Sequence, residues 1–212
     1  SRGLGDVYKR QTLVYPGQLA TTNRPVVKIY IGLGVIMPRV SLDLELPADL
    51  AVVNSDGWRF APGMVPGQPN QGLVAEMGDS PARLADYDDS SWEKNADIQE
   101  RHSVGFTFAW YRVKFTIPEE VKGENVAGGR VWFETNVDNY GEVFVDGHID
   151  RDKWVVTGNN TPKRILIEDP AVPGTSHTVA VLVANAPLGA PVGSIFMRYA
   201  TLAFEPAPGS RT

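Results

Sequence analysis

From residue 40 onward the chain repeats short stretches of alternating apolar and polar residues, punctuated by glycine, proline and asparagine. Val40 to Leu46 (VSLDLEL) puts Val40, Leu42, Leu44 and Leu46 on one face and Ser41, Asp43 and Glu45 on the other, the period of a half-buried strand. Pro47 stops it. Further on, Phe106 to Ile117, Arg130 to Thr135, Gly141 to Val145, Ile165 to Glu168, His177 to Ala184 and Ser194 to Phe204 are rich in β-branched and aromatic residues. Between them stand Pro118, Gly128-Gly129, Asp146-Gly147, Gly158-Asn159-Asn160 and Pro173-Gly174; Asp-Gly is a tight-turn signal because both residues tolerate positive φ. No stretch carries a 3.6-residue stripe, although Pro81 to Tyr87 and Asp89 to Lys94 each suit a helical turn. The pattern predicts an all-β fold: an antiparallel β-sandwich over residues 38–205, in jelly-roll form, with less than about a tenth of the chain in helix.

Two regions depart from the pattern. Residues 61–83 carry so many prolines and glycines that neither helix nor strand survives, which predicts a long surface excursion. Ser1 to Gln11 has no apolar core and no alternation, so it reads as a cloning or assembly scar rather than a signal peptide. Residues 12–37 form an uncertain segment in which Val26 to Val35 predicts an added strand, and residues 206–212 a flexible tail.

Composition narrows the function. A net charge of −5 with no basic block argues against nucleic-acid binding, and no uncharged apolar run is long enough to span a bilayer. Without cysteine there is no disulfide framework, thiol nucleophile or zinc finger. The three histidines, His102, His148 and His177, include no His-x-His pair, which excludes the metal site of a cupin jelly roll. Asp86, Asp88, Asp89 and Glu93 offer oxygens for a structural Ca²⁺, but EF-hand spacing is missing. The expectation is no cofactor, with structural Ca²⁺ as the alternative. No nucleophile elbow, phosphate loop or His-Glu-x-x-His motif occurs.

Six motifs in order then carry a family resemblance. Asp56 to Phe60 (DGWRF), Tyr87 to Glu93 (YDDSSWE), Trp110 to Pro118 (WYRVKFTIP), Tyr140 to His148 (YGEVFVDGH), His177 to Asn185 (HTVAVLVAN) and Gly193 to Arg198 (GSIFMR) resemble the landmarks of the sugar-binding jelly-roll domain of glycoside hydrolase family 2 enzymes. The resemblance covers about residues 54–205 and implies a galactose-binding-like fold. In that family the hydrolytic carboxylates lie in a separate barrel, which these 212 residues do not hold. The segment Ile149 to Trp154 departs from the family pattern, so ligand contacts there do not transfer. What the resemblance implies is a carbohydrate-binding module or accessory domain without chemistry of its own, a glycan or small saccharide as partner, association with a larger glycan-degrading enzyme, and a periplasmic or extracellular setting.

Site candidates follow from the loops that the resembled domain gathers at one end: Gln99 to Gly105, Asp150 to Asn160 and Asn185 to Gly193. Trp154, in a polar segment, is the candidate stacking surface, with Glu100, His102, Asp152, Asn159 and Asn185 as hydrogen-bonding candidates. The alternative is a stand-alone enzyme acting on a saccharide with Glu100, His102 and Asp152 as acid and base. Trp58, Trp92, Trp110 and Trp132 read as structural, Asp88 to Trp92 as a turn closing on its own backbone with Trp92 plugging the core, and Arg112 as paired with a carboxylate across the sheet.

Overall fold

In the computed structural model the described residues are 39–68, 80–102, 107–138, 140–157, 161–185 and 194–206. The predicted scar, the Val26 to Val35 strand, Asn159, residues 103–105 and 186–193 and the tail beyond 206 lie outside them. Twelve strands are described: β1 (Val40–Asp43), β2 (Arg59–Pro62), β3 (Glu93–Lys94), β4 (Thr107–Thr116), β5 (Glu120–Val121), β6 (Glu124–Asn125), β7 (Arg130–Asp138), β8 (Tyr140–Val145), β9 (Val155–Thr157), β10 (Lys163–Glu168), β11 (Ser176–Asn185) and β12 (Phe196–Glu205). Helix among them is confined to α1 (Pro47–Val52) and a 3₁₀ turn at Pro81–Arg83.

A four-stranded sheet in the order β1-β12-β7-β10 faces a six-stranded sheet in the order β3-β2-β4-β11-β8-β9, every pairing antiparallel. Setting aside β2 and β3, which extend the second sheet beyond β4, and the β5–β6 hairpin, the other eight strands follow the two-Greek-key order of a jelly roll. The fold is therefore the all-β sandwich that the alternation predicts.

Between the sheets Leu42, Phe133, Leu202 and Phe204 meet Tyr111, Val143, Val181 and Val183 in one apolar core. The turn after β8 is built as its sequence requires: Asp146 and Gly147 have φ of 50° and 84°, the left-handed pair that joins two twisted strands in a tight hairpin.

The long apolar run of β4 has a second cause. Its inward residues Ala109, Tyr111, Val113 and Phe115 belong to the core, while Phe108 and Trp110 join Ala180, Leu182 and Phe144 in a second apolar cluster on the outer face of the same sheet. Ala82 and Trp92 close over that cluster, so the six-stranded sheet is covered on both sides. Residues 80–92 are thus a lid packed on the sheet; of the expected surface excursion at 61–83, residues 63–68 form turns as predicted, 80–83 belong to the lid, and 69–79 lie outside the described residues.

Three expectations change. The strand at Val40 ends at Asp43, because Pro47 occupies the first turn of α1, where its missing N–H costs nothing; Leu46 is 51% exposed in the turn between them. Asp89 to Lys94 forms a turn followed by strand β3 rather than a helical turn. Trp132 is a half-buried residue of the solvent-facing side of β7, its inward neighbours being Val131 and Phe133; the Arg164 guanidinium lies 4.2 Å from its ring centroid and its indole N–H donates to Glu205 Oε2 at 2.9 Å.

Candidate functional site

The polar segment before β4 crosses the edge of the sandwich, tied to the start of β12 by Met197 N–H to Ile98 O at 2.7 Å and His102 N–H to Ile195 O at 3.2 Å. Glu100 is exposed on this segment. The His102 ring stacks on Phe60 with centroids 3.9 Å apart and stands 6.4 Å from the ring of Tyr111. Both His102 Nε2 and the Tyr111 hydroxyl are buried without a hydrogen-bond partner among the described residues. Burial, reinforced by the charges of Asp97, Glu100 and Glu93, holds the Tyr111 phenol far above its ordinary range, so it stays a donor at any physiological pH. A buried, unpaired donor is costly, so among the described residues this corner carries an unmet hydrogen bond inside the core. Tyr111 was hidden in the sequence: inside an apolar strand it is indistinguishable from an ordinary core aromatic.

Beside the same segment lies a basin of about 450 Å³ between α1 and residues 95–98. Leu44, Leu50 and Trp58 give it apolar walls, while Glu45, Asp56, Asn95 and Asp97 bring acceptors and amide donors. Trp58 is anchored there by its indole N–H, which donates to Leu44 O at 3.1 Å. Gly57, at φ 85°, lets the chain turn against Asn95, whose Oδ1 would stand 3.0 Å from an added Cβ. Gln99 Nε2 donates to both oxygens of Glu45, at 2.9 and 3.1 Å. Burial raises the Glu45 carboxyl above its ordinary range, the bond from Gln99 opposes that, and the charges of Asp43 and Asp97 add to the rise. Apolar walls with a few convergent polar groups are the usual composition of a small-ligand site. The Pro47 signal for a helix start was available in the sequence; the convergence of Glu45, Asp56 and Asp97, set by tertiary pairing, was not.

The other sequence candidates are spread out. Asn185 is fully buried at the end of β11, opposite Thr107. Trp154 is half-buried and packs against the main core, its carbonyl accepting Val143 N–H at 3.1 Å, and Asp152 is exposed in the turn before it, its N–H bonded to Asp150 Oδ1 at 3.1 Å. Phe60, Tyr111, Val181 and Val143 form one transverse row across β2, β4, β11 and β8, with Trp154 beyond it. Four strand spacings of about 4.8 Å therefore put roughly 19 Å between the ring under His102 and Trp154. The structure brings Glu100 and His102 to one edge of the sheet and Trp154 and Asp152 to the other.

Among the described residues no three His, Asp or Glu side chains are grouped to hold a metal ion. In the segment named for Ca²⁺, Asp89 is engaged by Arg112 and Lys114, and Asp88 accepts Ser90 N–H at 3.0 Å.

No protein-family profile matches the sequence, and no curated protein matches it. Among solved structures, the chain is similar to Bacteroides uniformis β-glucuronidase 2 covalently bound to cyclophellitol-6-carboxylate aziridine, with 18% identity, a TM-score of 0.53, and coverage of 80% of this chain and 18% of that one. It is likewise similar to a Bacteroides uniformis β-glucuronidase with 18% identity and a TM-score of 0.52, covering 78% of this chain and 18% of the other. What is shared is the fold. At this identity the likeness concerns backbone architecture, and the chain spans less than a fifth of these two structures. Among the described residues no helix is long and apolar enough to cross a membrane.

Proposed function

We propose that this chain is a carbohydrate-binding accessory domain associated with glycan degradation, of the kind found in glycoside hydrolase family 2 enzymes, with no chemistry of its own. The observation that carries this reading is the basin beside Glu100: a pocket of about 450 Å³ whose apolar walls are edged by carboxylate and amide groups, which suits a sugar ring with its hydroxyls. Two structures of similar fold are β-glucuronidases, which supports the glycan context. Within this reading Glu100 and His102 contact the ligand from the edge segment, and Asp152 and Trp154, at the opposite edge of the sheet, are reached by a longer saccharide.

The enzymatic alternative gains no support from the placement of its residues. Glu100 and His102 lie across the sheet from Asp152, so the three do not form one acid–base set.

A glycan array followed by calorimetric titration of the best ligand tests the proposal, with product analysis run on the same mixtures. Saturable binding without turnover is the expected outcome. Absence of any saccharide binding overturns it, and bond cleavage moves the chain to the enzymatic reading.

A further inference from the structure

The lid over the outer face of the six-stranded sheet leaves a groove of about 520 Å³ at the β2–β3 edge. Ala61, Pro62 and Pro66 form one side, and Tyr87, Ser91 and Trp92 the other; the rings of Tyr87 and Trp92 meet at 58° with centroids 5.5 Å apart. An aromatic wall of this size accepts the C–H face of a sugar ring or another flat apolar ring.

The groove is bordered by an unusual row of charge. Lys94 pairs with Arg59 on β2, and Arg59 with Arg112 on β4, so three cationic side chains stand side by side on one face of the sheet. Trp92 directly precedes β3 and Ala61 lies two residues beyond Arg59, which places the row next to the groove. The charges are not equally available. Arg112 has no exposed side-chain surface; its Nε donates to Asp89 Oδ2 at 2.8 Å, and its Nη1 bonds the carbonyls of Ala82 and Leu84. Lys114, two residues along, shares Asp89 at 3.6 Å. Arg59 and Lys94 have no carboxylate partner among the described residues, and Arg59 Nη1 is buried without a hydrogen-bond partner there. Like charges at this spacing repel. Arg59 and Lys94 border the groove without lining it, and Glu93 is the charged residue of its lining; in a chain of net charge −5, two cations without carboxylate partners among the described residues beside an aromatic groove suit a ring whose acidic group reaches past the rim to them.

We infer that this groove is a second ligand site, selective for a saccharide bearing a carboxylate or sulfate, with the ring against Tyr87 and Trp92 and the acidic group on the guanidinium of Arg59, assisted by Lys94. Arg59 is the specificity-determining residue, since a guanidinium offers two parallel donors to a carboxylate or sulfate. Glu93, exposed at the groove, accepts ring hydroxyls and disfavours an anion placed the other way round. The inference rests on the carbohydrate-binding reading and extends it, because the groove is separate from the basin beside Glu100.

The test is calorimetric titration of the full chain with methyl glucuronide, glucose 6-sulfate and neutral methyl glucoside, at low and at high salt. The acidic ligands should bind about tenfold or more tightly than the neutral one, a preference that salt reduces. Comparable gains for uronate and sulfate identify the charge as the determinant; a gain for one alone assigns the site to that group. Arg59→Gln should abolish the preference with the melting temperature preserved, while Tyr87→Ala weakens acidic and neutral ligands alike. Neutral glucoside binding as tightly as the acids, or a preference that survives in Arg59→Gln, overturns the inference and leaves the carbohydrate reading in place. No binding of any saccharide overturns both.

Discussion

Arg112 and Asp89 form an ion pair at 2.8 Å on the outer face of a β-sheet, the arginine having no exposed side-chain surface and the carboxylate being 10% exposed. The pair joins two parts of the chain, β4 and the lid, and the guanidinium also lies 5.5 and 5.9 Å from the ring centroids of Tyr87 and Trp92. With its Nη1 also donating to the carbonyls of Ala82 and Leu84, this one side chain ties residues 82, 84 and 89 of the lid to the sheet. Removing one member of a buried pair leaves the other as an uncompensated charge. Asp89→Ala should therefore cost about 3–5 kcal/mol in chemical denaturation and expose the lid to limited proteolysis near residues 84–91. A variant with parent stability and parent cleavage pattern would show that the pair does not hold the lid.

Tryptophan truncation separates the covered outer face of the six-stranded sheet from the open face of β7. Trp110 is 1% exposed and its indole donates to Met64 O at 2.9 Å, and Trp92 is 7% exposed. Each change to Ala should cost about 3–5 kcal/mol, with a vacated volume the surrounding sheet cannot fill. Trp132→Ala, on the open face of β7, should cost clearly less. Equal losses of melting temperature in Trp110→Ala and Trp132→Ala would mean that the face on which each residue sits is wrongly assigned.

Those same residues mark the limit of what the sequence discloses. Period-two alternation made β1, β7 and β12 legible, and Asp146-Gly147 announced its hairpin, because these signals are local. Trp132 misled because an apolar neighbour on each side hides which face is wet; only its register, opposite Leu166 and Ala203 with Glu134 and Arg164 alongside, settles that. The unbroken apolar run of β4 recorded burial on both faces, yet nothing local says that residues 80–92 supply the second cover. Glu100 and His102 were legible as a polar segment before a strand. Their distance from Trp154 and Asp152 was not, since it depends on strand order, which places β2 and β9 four strands apart.

Phenol ionisation should set the alkaline limit of the fold. Tyr140 is pushed up to about 12, first by burial and then by its hydrogen bond to Glu142, and Tyr111 is raised further by burial. The sign follows from linkage: from the ordinary value near 10 upward, the unfolded chain has lost these protons while the folded chain retains them, so unfolding releases protons and stability falls as pH rises through that window. Below about pH 10 neither phenol contributes a pH dependence. Phenolate absorbance followed during alkaline titration, together with melting temperatures, checks this. Tyr140→Phe should reduce the alkaline slope; a slope identical to the parent's would remove Tyr140 from the account.

The sharpest test of the edge site compares Glu100→Gln with Trp154→Ala against whichever glycan binds the parent. Glu100 is exposed, so its amide replacement should leave stability within about 0.5 kcal/mol and act on the ligand alone. Trp154 is different, because it packs against the core: part of any effect will be structural, visible as a lower melting temperature. If Trp154 is also the stacking surface, its loss should weaken binding by about 1–3 kcal/mol, tenfold to a hundredfold, at temperatures where the variant remains folded. The separation of roughly 19 Å across the sheet, set by strand spacing, makes the two residues independent for a monosaccharide and jointly engaged only by a longer chain. Titration with one sugar ring and then with oligosaccharides of increasing length therefore reads the geometry directly. Both variants should matter for long ligands and at most one for a single ring; if both matter equally for a monosaccharide, the site lies where neither the basin nor the loop end accounts for it.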